Sequence, residues 1–299
     1  MRYDRLLDGK TVWITGGATP PYDVYARLFY EHGAKLIIID GKAEDGCKLV
    51  DDIGQLGGAD VVNGGASSAF GGASSDLGTA SSAMYHECDL FDSTRVEALC
   101  NELLIQYGAP DVYLHVADTF IPAFIDELAY SDLELMLAIS VTTPFAVIKS
   151  IAAQMATANG GGAIVLVSGH YGIQGMNRVS GYGAAKGSEI SMAYSLAVEY
   201  AADNIRINTI APGVSFPPVG DALLAQSKES DSPDFWGTVQ PFRRRGRMDE
   251  LANAALFLAS NMADYITGEV LLVNGAQHLI AHNHNFPHRD IPLPQQKKR

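Results

Sequence analysis

Short apolar runs alternate along the chain with longer stretches whose apolar residues recur at helical spacing. Short, continuous apolar runs are typical of strands that are buried on both faces of a sheet. They predict seven strands: Thr11–Thr15, Leu36–Ile39, Ala83–Glu87, Val112–His115, Ile164–Ser168, Ile205–Thr209 and Val270–Val273.

The stretches between these runs predict helices at Tyr22–His32, Thr94–Tyr107, Asp132–Thr157, Tyr182–Ala202 and Asp249–Ala259. Alternation of strands and helices predicts an α/β fold, a doubly wound parallel sheet with helices on both faces. Sheets of this kind bind ligands beyond the carboxyl ends of their strands. We therefore expect one domain over residues 1–276, with its site at that edge.

Two segments interrupt the pattern. Residues 54–82 are rich in Gly, Ala and Ser, which predicts a flexible surface insertion. Residues 277–299 hold four of the eight histidines, His278, His282, His284 and His288. A metal site is one interpretation of this tail, but no acidic or cysteine partner is near, so we expect a solvated arm or a contact with a neighbouring subunit and no metal.

Composition narrows the possible partners. Hydrophobic residues make up 47% of the chain and charged residues 18%, enough apolar material for a large core. The net charge of -13 disfavours nucleic acids and anionic membranes. We find no apolar run of membrane-spanning length, no signal-peptide order at the N-terminus and three scattered cysteines, so the cytoplasm is the expected location.

The spacing of Tyr182 and Lys186 points to proton chemistry. Residues four apart share one face of a helix. An ammonium beside a phenol favours the phenolate, which lets the tyrosine act as an acid or base near neutral pH. The pair lies between two predicted strand ends, Ala163–Gly169 and Asn208–Gly213, where a site is expected.

From about residue 7 to residue 276 the chain resembles the short-chain dehydrogenase/reductase family in its one-domain form, and the resemblance implies a Rossmann-like fold. The motifs that carry it are Thr15-Gly16-Gly17-Ala18, Cys88-Asp89-Leu90, Tyr182 with Lys186, Pro212-Gly213, Arg245-Gly246-Arg247 and Tyr265-Ile266-Thr267-Gly268.

The resemblance implies an NAD(H)-dependent oxidoreductase that interconverts a secondary alcohol and a ketone. Tyr182 would be the general acid/base, and Lys186 would lower its pKa and bind the nicotinamide ribose. The carboxylate of Asp40 would accept from the adenosine ribose and repel a 2′-phosphate, which favours NAD over NADP. The implied cofactor-binding residues are Thr15, Gly16, Gly17, Tyr22, Asp40, Asp89, Leu90, Ala117, Lys186, Pro212, Gly213 and Ser215.

Several positions depart from the family pattern. Pro20 and Tyr22 replace glycines of the phosphate-binding turn, and Asp23 adds a negative charge, so we expect weakened cofactor binding. The usual catalytic serine position holds Gly169. Ser168 or His170 would then orient the substrate carbonyl, and Ser140 would replace the asparagine that holds a relay water.

The segment 214–240 occupies the place of the family's substrate lid. Its aromatic residues Phe216, Phe235 and Trp236 favour a small apolar or ring-containing substrate, or alternatively pack on the core. By resemblance we expect a homotetramer or homodimer.

Two other functions remain open at this point. The altered turn and the missing serine would also fit a non-catalytic subunit of a hetero-oligomer. A cofactor-independent lyase or dehalogenase is the third hypothesis, in which Pro20 and Tyr22 line a substrate pocket, but it leaves Asp40 and Asp89 without a ligand.

Overall fold

The computed structural model describes residues 5–57, 62–63, 82–214, 216–224, 241–242 and 244–279. In this part of the chain, parallel strands form one sheet in the order β3-β4-β2-β1-β5-β6-β7-β8. The strands are β1 (Thr11–Thr15), β2 (Lys35–Asp40), β3 (Val62–Asn63), β4 (Ala83–Glu87), β5 (Val112–His115), β6 (Gly162–Val167), β7 (Ile205–Pro212) and β8 (Val270–Val273).

Helices connect the strands and cover both faces, which confirms the predicted fold class. They are α1 (Asp23–Glu31), α2 (Ala43–Gly57), α3 (Ser93–Tyr107), α4 (Tyr130–Leu137), α5 (Thr143–Asn159), α6 (Ser180–Tyr200), α7 (Val219–Leu224) and α8 (Met248–Ala259). A π-helical turn, Ala138–Thr142, joins α4 to α5. The sequence pattern did not predict α2, α7 or β3.

The predicted insertion at 54–82 is partly ordered secondary structure. Helix α2 continues to Gly57, and Val62–Asn63 pairs with β4 as an edge strand. The helix forms because Leu49, Val50 and Ile53 lie on one face and are buried in the core. Residues 58–61 and 64–81 lie outside the described part of the chain.

Successive residues of β1 point to the two cores in turn. Val12 and Ile14 join the core beneath α1, α2 and α8, whereas Trp13 joins the core beneath α3, α5 and α6. This alternation is the two-residue period of a strand that is buried on both faces. The sheet therefore forms a rigid layer whose loops carry the site.

The helical run Tyr130–Asn159 is long and apolar enough to cross a membrane, contrary to the sequence-based expectation. However, 56% of its apolar window is buried within the fold, where α5 packs against α3. A mostly buried helix of a globular core has the same composition, so this helix gives weak support for a membrane span.

The remaining predicted segments are described in part. Of the predicted lid, Val214 and residues 216–224 are described, and they end in α7. Of the predicted tail, Gln277–Leu279 forms a 3₁₀ turn, while His282, His284 and His288 lie outside the described residues. Within the described ranges, no group of three His, Cys, Asp or Glu side chains is arranged to hold a metal.

Candidate active site

The chain leaves β1 toward β2 and later returns to β5 on its other side, so the switch point of the sheet lies between β1 and β5. Gly16 and Gly17 follow β1 with φ angles of 79° and 84°, which side chains rarely adopt. A Cβ on Gly16 would lie 2.6 Å from the backbone nitrogen of Ala117. Glycine therefore allows this turn to approach the end of β5 closely.

The side chain of Thr15 lies in the core below this turn. Its hydroxyl is 2.8 Å from Tyr113 Oη and 2.7 Å from His115 Nδ1, and it is fully buried. These partners on β5 hold the Thr15 hydroxyl inside the fold, so a cofactor contact of Thr15 would have to come from its backbone. Burial, followed by the charge of Lys186, lowers the pKa of His115 to about 3.

Asp40 lies at the end of β2 and is held by backbone donors. Its Oδ2 accepts from the N–H of Ala18 at 3.0 Å, and its Oδ1 accepts from the N–H of Gly41 at 2.7 Å. Tyr85 donates its hydroxyl to the Asp40 carbonyl oxygen at 2.7 Å. Burial raises the pKa of the Asp40 carboxyl despite the two N–H donors.

Asp89 and Leu90 follow β4. The exposed Asp89 accepts from the N–H of Phe91 at 2.9 Å, and the carbonyl of the buried Leu90 accepts from the Thr143 hydroxyl. These bonds fix the loop at the carboxyl edge of the sheet, on the same side as Asp40.

A cavity lies where β5, β6 and β7 end, between those strand ends and α1. Its volume is about 30 Å³, enough to hold a water molecule. Tyr25 is fully buried, and its hydroxyl has no hydrogen-bond partner among the described residues. The side chains that close the cavity include Tyr22, Tyr25, Asp118, His170, Tyr182 and Phe216.

Tyr182 and Lys186 meet at this cavity through the carboxylate of Asp118. Tyr182 Oη donates to Asp118 Oδ2 at 2.9 Å, and Lys186 Nζ lies 3.1 Å from Asp118 Oδ1. Lys186 Nζ also lies 3.3 Å from Glu189 Oε2 and 3.4 Å from the Val167 carbonyl oxygen. An ammonium has three donors, so groups of this chain engage all of them.

The electrostatics of this group differ from the expectation for Tyr182. Burial, and next the charge of Asp118, raise the pKa of Tyr182 well above its usual value. Asp118 and Glu189 raise the pKa of Lys186 above its usual value, because their charges outweigh the opposing effect of burial. Lys186 therefore compensates two carboxylates, and its charge does not bring the Tyr182 pKa toward neutrality.

Ser168 and His170 both line the cavity, but their polar atoms have partners in the protein. The Ser168 hydroxyl donates to the Lys186 carbonyl oxygen at 2.9 Å. His170 Nδ1 lies 3.4 Å from Asn274 Nδ2, and burial lowers its pKa. Ser140 is buried in the π-helical turn, which packs against α6. The structure brings these three predicted residues next to α6, the helix that carries Tyr182 and Lys186.

Strand β7 ends at Pro212, and Gly213 follows it. Both residues form part of the cavity wall. A Cβ on Gly213 would lie 2.9 Å from the Cα of Asn274, so glycine permits this approach as well. Phe216 packs in the core and against Gly246, in agreement with the core-packing alternative. Ser215, the remaining predicted cofactor residue, lies outside the described residues.

Sequence reasoning missed three polar residues of the site: Tyr25, Asp118 and Glu189. Asp118 follows β5, and an acid beyond a parallel strand is a signal that could have been used. Glu189 is an acid three residues after Lys186, on a helix with many buried small and apolar residues. Its full burial depends on the packing of α6 against the sheet, which no local pattern shows.

The two ends of the cleft fit a nicotinamide cofactor differently. At one end, each Asp40 oxygen has accepted one N–H and retains acceptor capacity for ribose hydroxyls. At the other end, a space of about 30 Å³ is too small for a nicotinamide ring. Binding there requires Tyr22 or another wall residue to move.

Comparisons with known proteins agree with this architecture. A family model described as enoyl-(acyl carrier protein) reductase, of the short-chain alcohol dehydrogenase type, matches residues 57–278. The chain is 31% identical over 265 residues to cis-4-hydroxycyclohexanecarboxylate dehydrogenase of Sinomonas cyclohexanicum, covering 88% of this chain and 94% of the relative. It is 28% identical over 270 residues to 3-oxoacyl-[acyl-carrier-protein] reductase of Chlamydia muridarum, covering 90% and 98%.

Solved structures show the same fold. A short-chain dehydrogenase/reductase from Burkholderia xenovorans superimposes with a TM-score of 0.75 at 28% identity, covering 92% of this chain and 99% of that chain. Gluconate 5-dehydrogenase from Burkholderia cenocepacia, solved with NADP and tartrate, gives 0.78 at 24% identity, covering 93% and 99%. With the sheet order and the matched family model, these likenesses establish that the chain belongs to the short-chain dehydrogenase/reductase family of nicotinamide-dependent oxidoreductases.

Proposed function

We propose that the protein interconverts a secondary alcohol and a ketone, with Tyr182 as the residue that moves the proton of the substrate oxygen. The observation that carries this proposal is the contact of Tyr182 Oη with Asp118, beside Lys186, at the wall of the cavity. A bound nicotinamide cofactor would supply the hydride chemistry. Tyr182 would donate its proton to a ketone oxygen or accept one from an alcohol, and the aromatic walls would exclude water.

We propose NAD(H) as the cofactor, held by Asp40. Its carboxylate lies at the end of β2 with acceptor capacity on both oxygens, and a 2′-phosphate there would meet a like charge. Two structural neighbours were solved with NADP or NADPH, so a comparison of NADH and NADPH binding tests this preference. The other proposed cofactor contacts are Gly16, Gly17, Tyr22, Asp89, Leu90, Ala117, Pro212, Gly213 and Ser215. Lys186 would contact the nicotinamide ribose by exchanging one of its three present partners for it.

The proposed substrate is a small apolar or ring-containing alcohol or ketone. Tyr171 and Phe216 contribute aromatic surface to the cavity wall. The names of two relatives, cis-4-hydroxycyclohexanecarboxylate dehydrogenase and 3alpha-hydroxysteroid dehydrogenase, describe secondary alcohols on rings. We propose a cytoplasmic homodimer or homotetramer, supported by exposed apolar side chains on α5 and α6 such as Phe145 and Val198.

A second candidate is a non-catalytic subunit of a hetero-oligomer. The narrow cavity favours it, because a subunit that binds no nicotinamide needs no space for the ring. In that case the chain would purify together with a second, homologous chain that has an intact cofactor site.

Binding measurements with the purified chain test both candidates. Calorimetric titration should show tighter binding of NADH than of NADPH by at least about tenfold, since a like-charge contact costs more than ~1.4 kcal/mol. Asp40→Asn should narrow this ratio, because it removes the charge and leaves the side chain's size unchanged. Tyr182→Phe should retain binding and lose turnover of cyclic secondary alcohols. Binding of neither cofactor up to millimolar concentration would contradict the first candidate.

A further inference from the structure

The proposed function assigns no step of the reaction to the Asp118 carboxylate, although this group contacts both Tyr182 and Lys186. Its Oδ2 accepts from Tyr182 Oη at 2.9 Å, while its Oδ1 lies 3.1 Å from Lys186 Nζ. The Asp118 side chain is 11% exposed, and it lines the cavity. A group with these contacts can take the tyrosine proton and exchange it with water in the cavity.

We propose that Asp118 is a catalytic residue that accepts and returns the proton of Tyr182, a role that deepens the proposed function and rests on it. When an alcohol is oxidised, the Tyr182 O–H bond breaks and an O–H bond forms at Asp118 Oδ2. The phenolate then takes the proton from the alcohol oxygen, and an alkoxide remains. In the reverse direction Tyr182 protonates the substrate oxygen and Asp118 returns the proton to Tyr182. Each step moves one proton, and charge is conserved.

The surroundings of Asp118 make this exchange possible. The Lys186 ammonium holds one oxygen of the Asp118 carboxylate and leaves the other oxygen to accept from Tyr182. Glu189 acts as a positioning residue, because it holds Lys186 from the fully buried side at 3.3 Å. The titratable groups that face Asp118 or share its cavity are Tyr22, Tyr25, His170, Tyr171, Tyr182, Lys186 and Glu189.

The first test needs neither cofactor nor substrate. Phenolate absorbance is measured against pH for the wild type, Asp118→Asn and Glu189→Gln, each with and without Tyr182→Phe. The difference within each pair isolates Tyr182 from the other tyrosines. Because Asn carries no charge, Asp118→Asn should lower the pH at which Tyr182 ionises by on the order of 1 unit. An unchanged Tyr182 titration would overturn the proposal.

The second test measures turnover by the same variants. Asp118→Asn keeps the size of the side chain but cannot accept the proton, so kcat for alcohol oxidation should fall by about 100-fold, with KM little changed. Asp118→Asn should also change the dependence of kcat on pH, because it removes a titratable group that contacts Tyr182. Glu189→Gln should retain the wild-type dependence, because it leaves the contact between Tyr182 and Asp118 in place.

The two tests separate failure of this proposal from failure of the proposed function. An Asp118→Asn variant with wild-type kcat and an unchanged pH profile would overturn the proton exchange. If the wild type has no turnover with either cofactor but Asp118→Asn still shifts the Tyr182 titration, the proposed function fails and the catalytic role of Asp118 fails with it, whereas the electrostatic coupling of the two side chains is upheld.

Discussion

The two ends of the cleft are built by different means. At the Asp40 end, backbone N–H groups and tightly turning glycines form the surface, and a carboxylate retains free acceptor capacity. At the Tyr182 end, side chains fill the space, and buried charges are joined to one another. The first end is already shaped for a ligand, whereas the second has to rearrange before a ring can enter.

This difference shows where substitution is tolerated. The sheet and the glycine turn depend on close backbone contacts, such as that of Gly16 with Ala117, and a side chain there would disrupt the fold. The walls of the cavity need side chains of a suitable volume and charge, and several residue types meet that need. Tyr22 therefore departs from the family pattern without altering the architecture.

The largest expected effect concerns the buried charges of the Tyr182 end. Lys186→Met leaves Asp118 and Glu189 without their cation, so the free energy of unfolding should fall by about 3–5 kcal/mol. Lys149→Met is the matched control, since it breaks an exposed ion pair with Glu97 worth less than about 1 kcal/mol. Urea unfolding at pH 7 measures both. Equal losses would mean that buried charge does not hold this end together.

The next effect concerns closure of the cavity. Moving the Tyr22 ring out of the cavity wall exposes apolar surface, which costs about 2 kcal/mol and weakens NADH binding by that amount. Tyr22→Ala removes this cost and should lower the Kd for NADH by about 30-fold. Tyr22→Phe retains the ring and should bind as weakly as the wild type. Calorimetry with both variants gives the answer. Identical affinities of the two variants for NADH would show that the Tyr22 ring does not obstruct the cofactor. The Tyr182 end would then need no rearrangement of Tyr22 before a ring can enter.

The last effect, which is smallest near neutral pH, is the acid sensitivity of the core below the site. His115 is neutral in the fold, with a pKa of about 3, whereas an unfolded histidine titrates near 6.5. Below about pH 6.5 the unfolded chain binds a proton that the fold does not, so stability should fall by up to about 1.4 kcal/mol per pH unit toward pH 3.

Replacing this histidine isolates its share of the acid sensitivity. His115→Gln should flatten the dependence of the unfolding midpoint on pH between 6 and 4. The half-buried His32, at the end of α1, provides the control substitution. Parallel curves for the wild type and His115→Gln would contradict a neutral, buried His115.

Most of the fold could be predicted because each of its signals is local. Continuous apolar runs predicted the seven longer strands, and the spacing of Tyr182 and Lys186 placed both on one helix. Helix α2 was missed because glycines such as Gly46 interrupt its pattern. Gly46 packs against the ring of Tyr85, where a side chain would collide, so a tertiary contact explains this glycine.

The polar centre of the site could not be predicted, because it depends on contacts between distant residues. Asp118 precedes Tyr182 by 64 positions and reaches it across the ends of β5 and β6. The inward position of the Thr15 hydroxyl likewise depends on Tyr113 and His115, which lie on a neighbouring strand. Spacing along the chain carries no information about such contacts.

The charges gathered around Lys186 also bear on which substrates the cavity admits. With both carboxylates ionised, Asp118 and Glu189 exceed the single ammonium by one negative charge in a largely buried space. A substrate with its own carboxylate near this group would meet repulsion that water does not screen, whereas a neutral alcohol or ketone would not. We therefore expect the cavity to favour uncharged substrates over anionic ones.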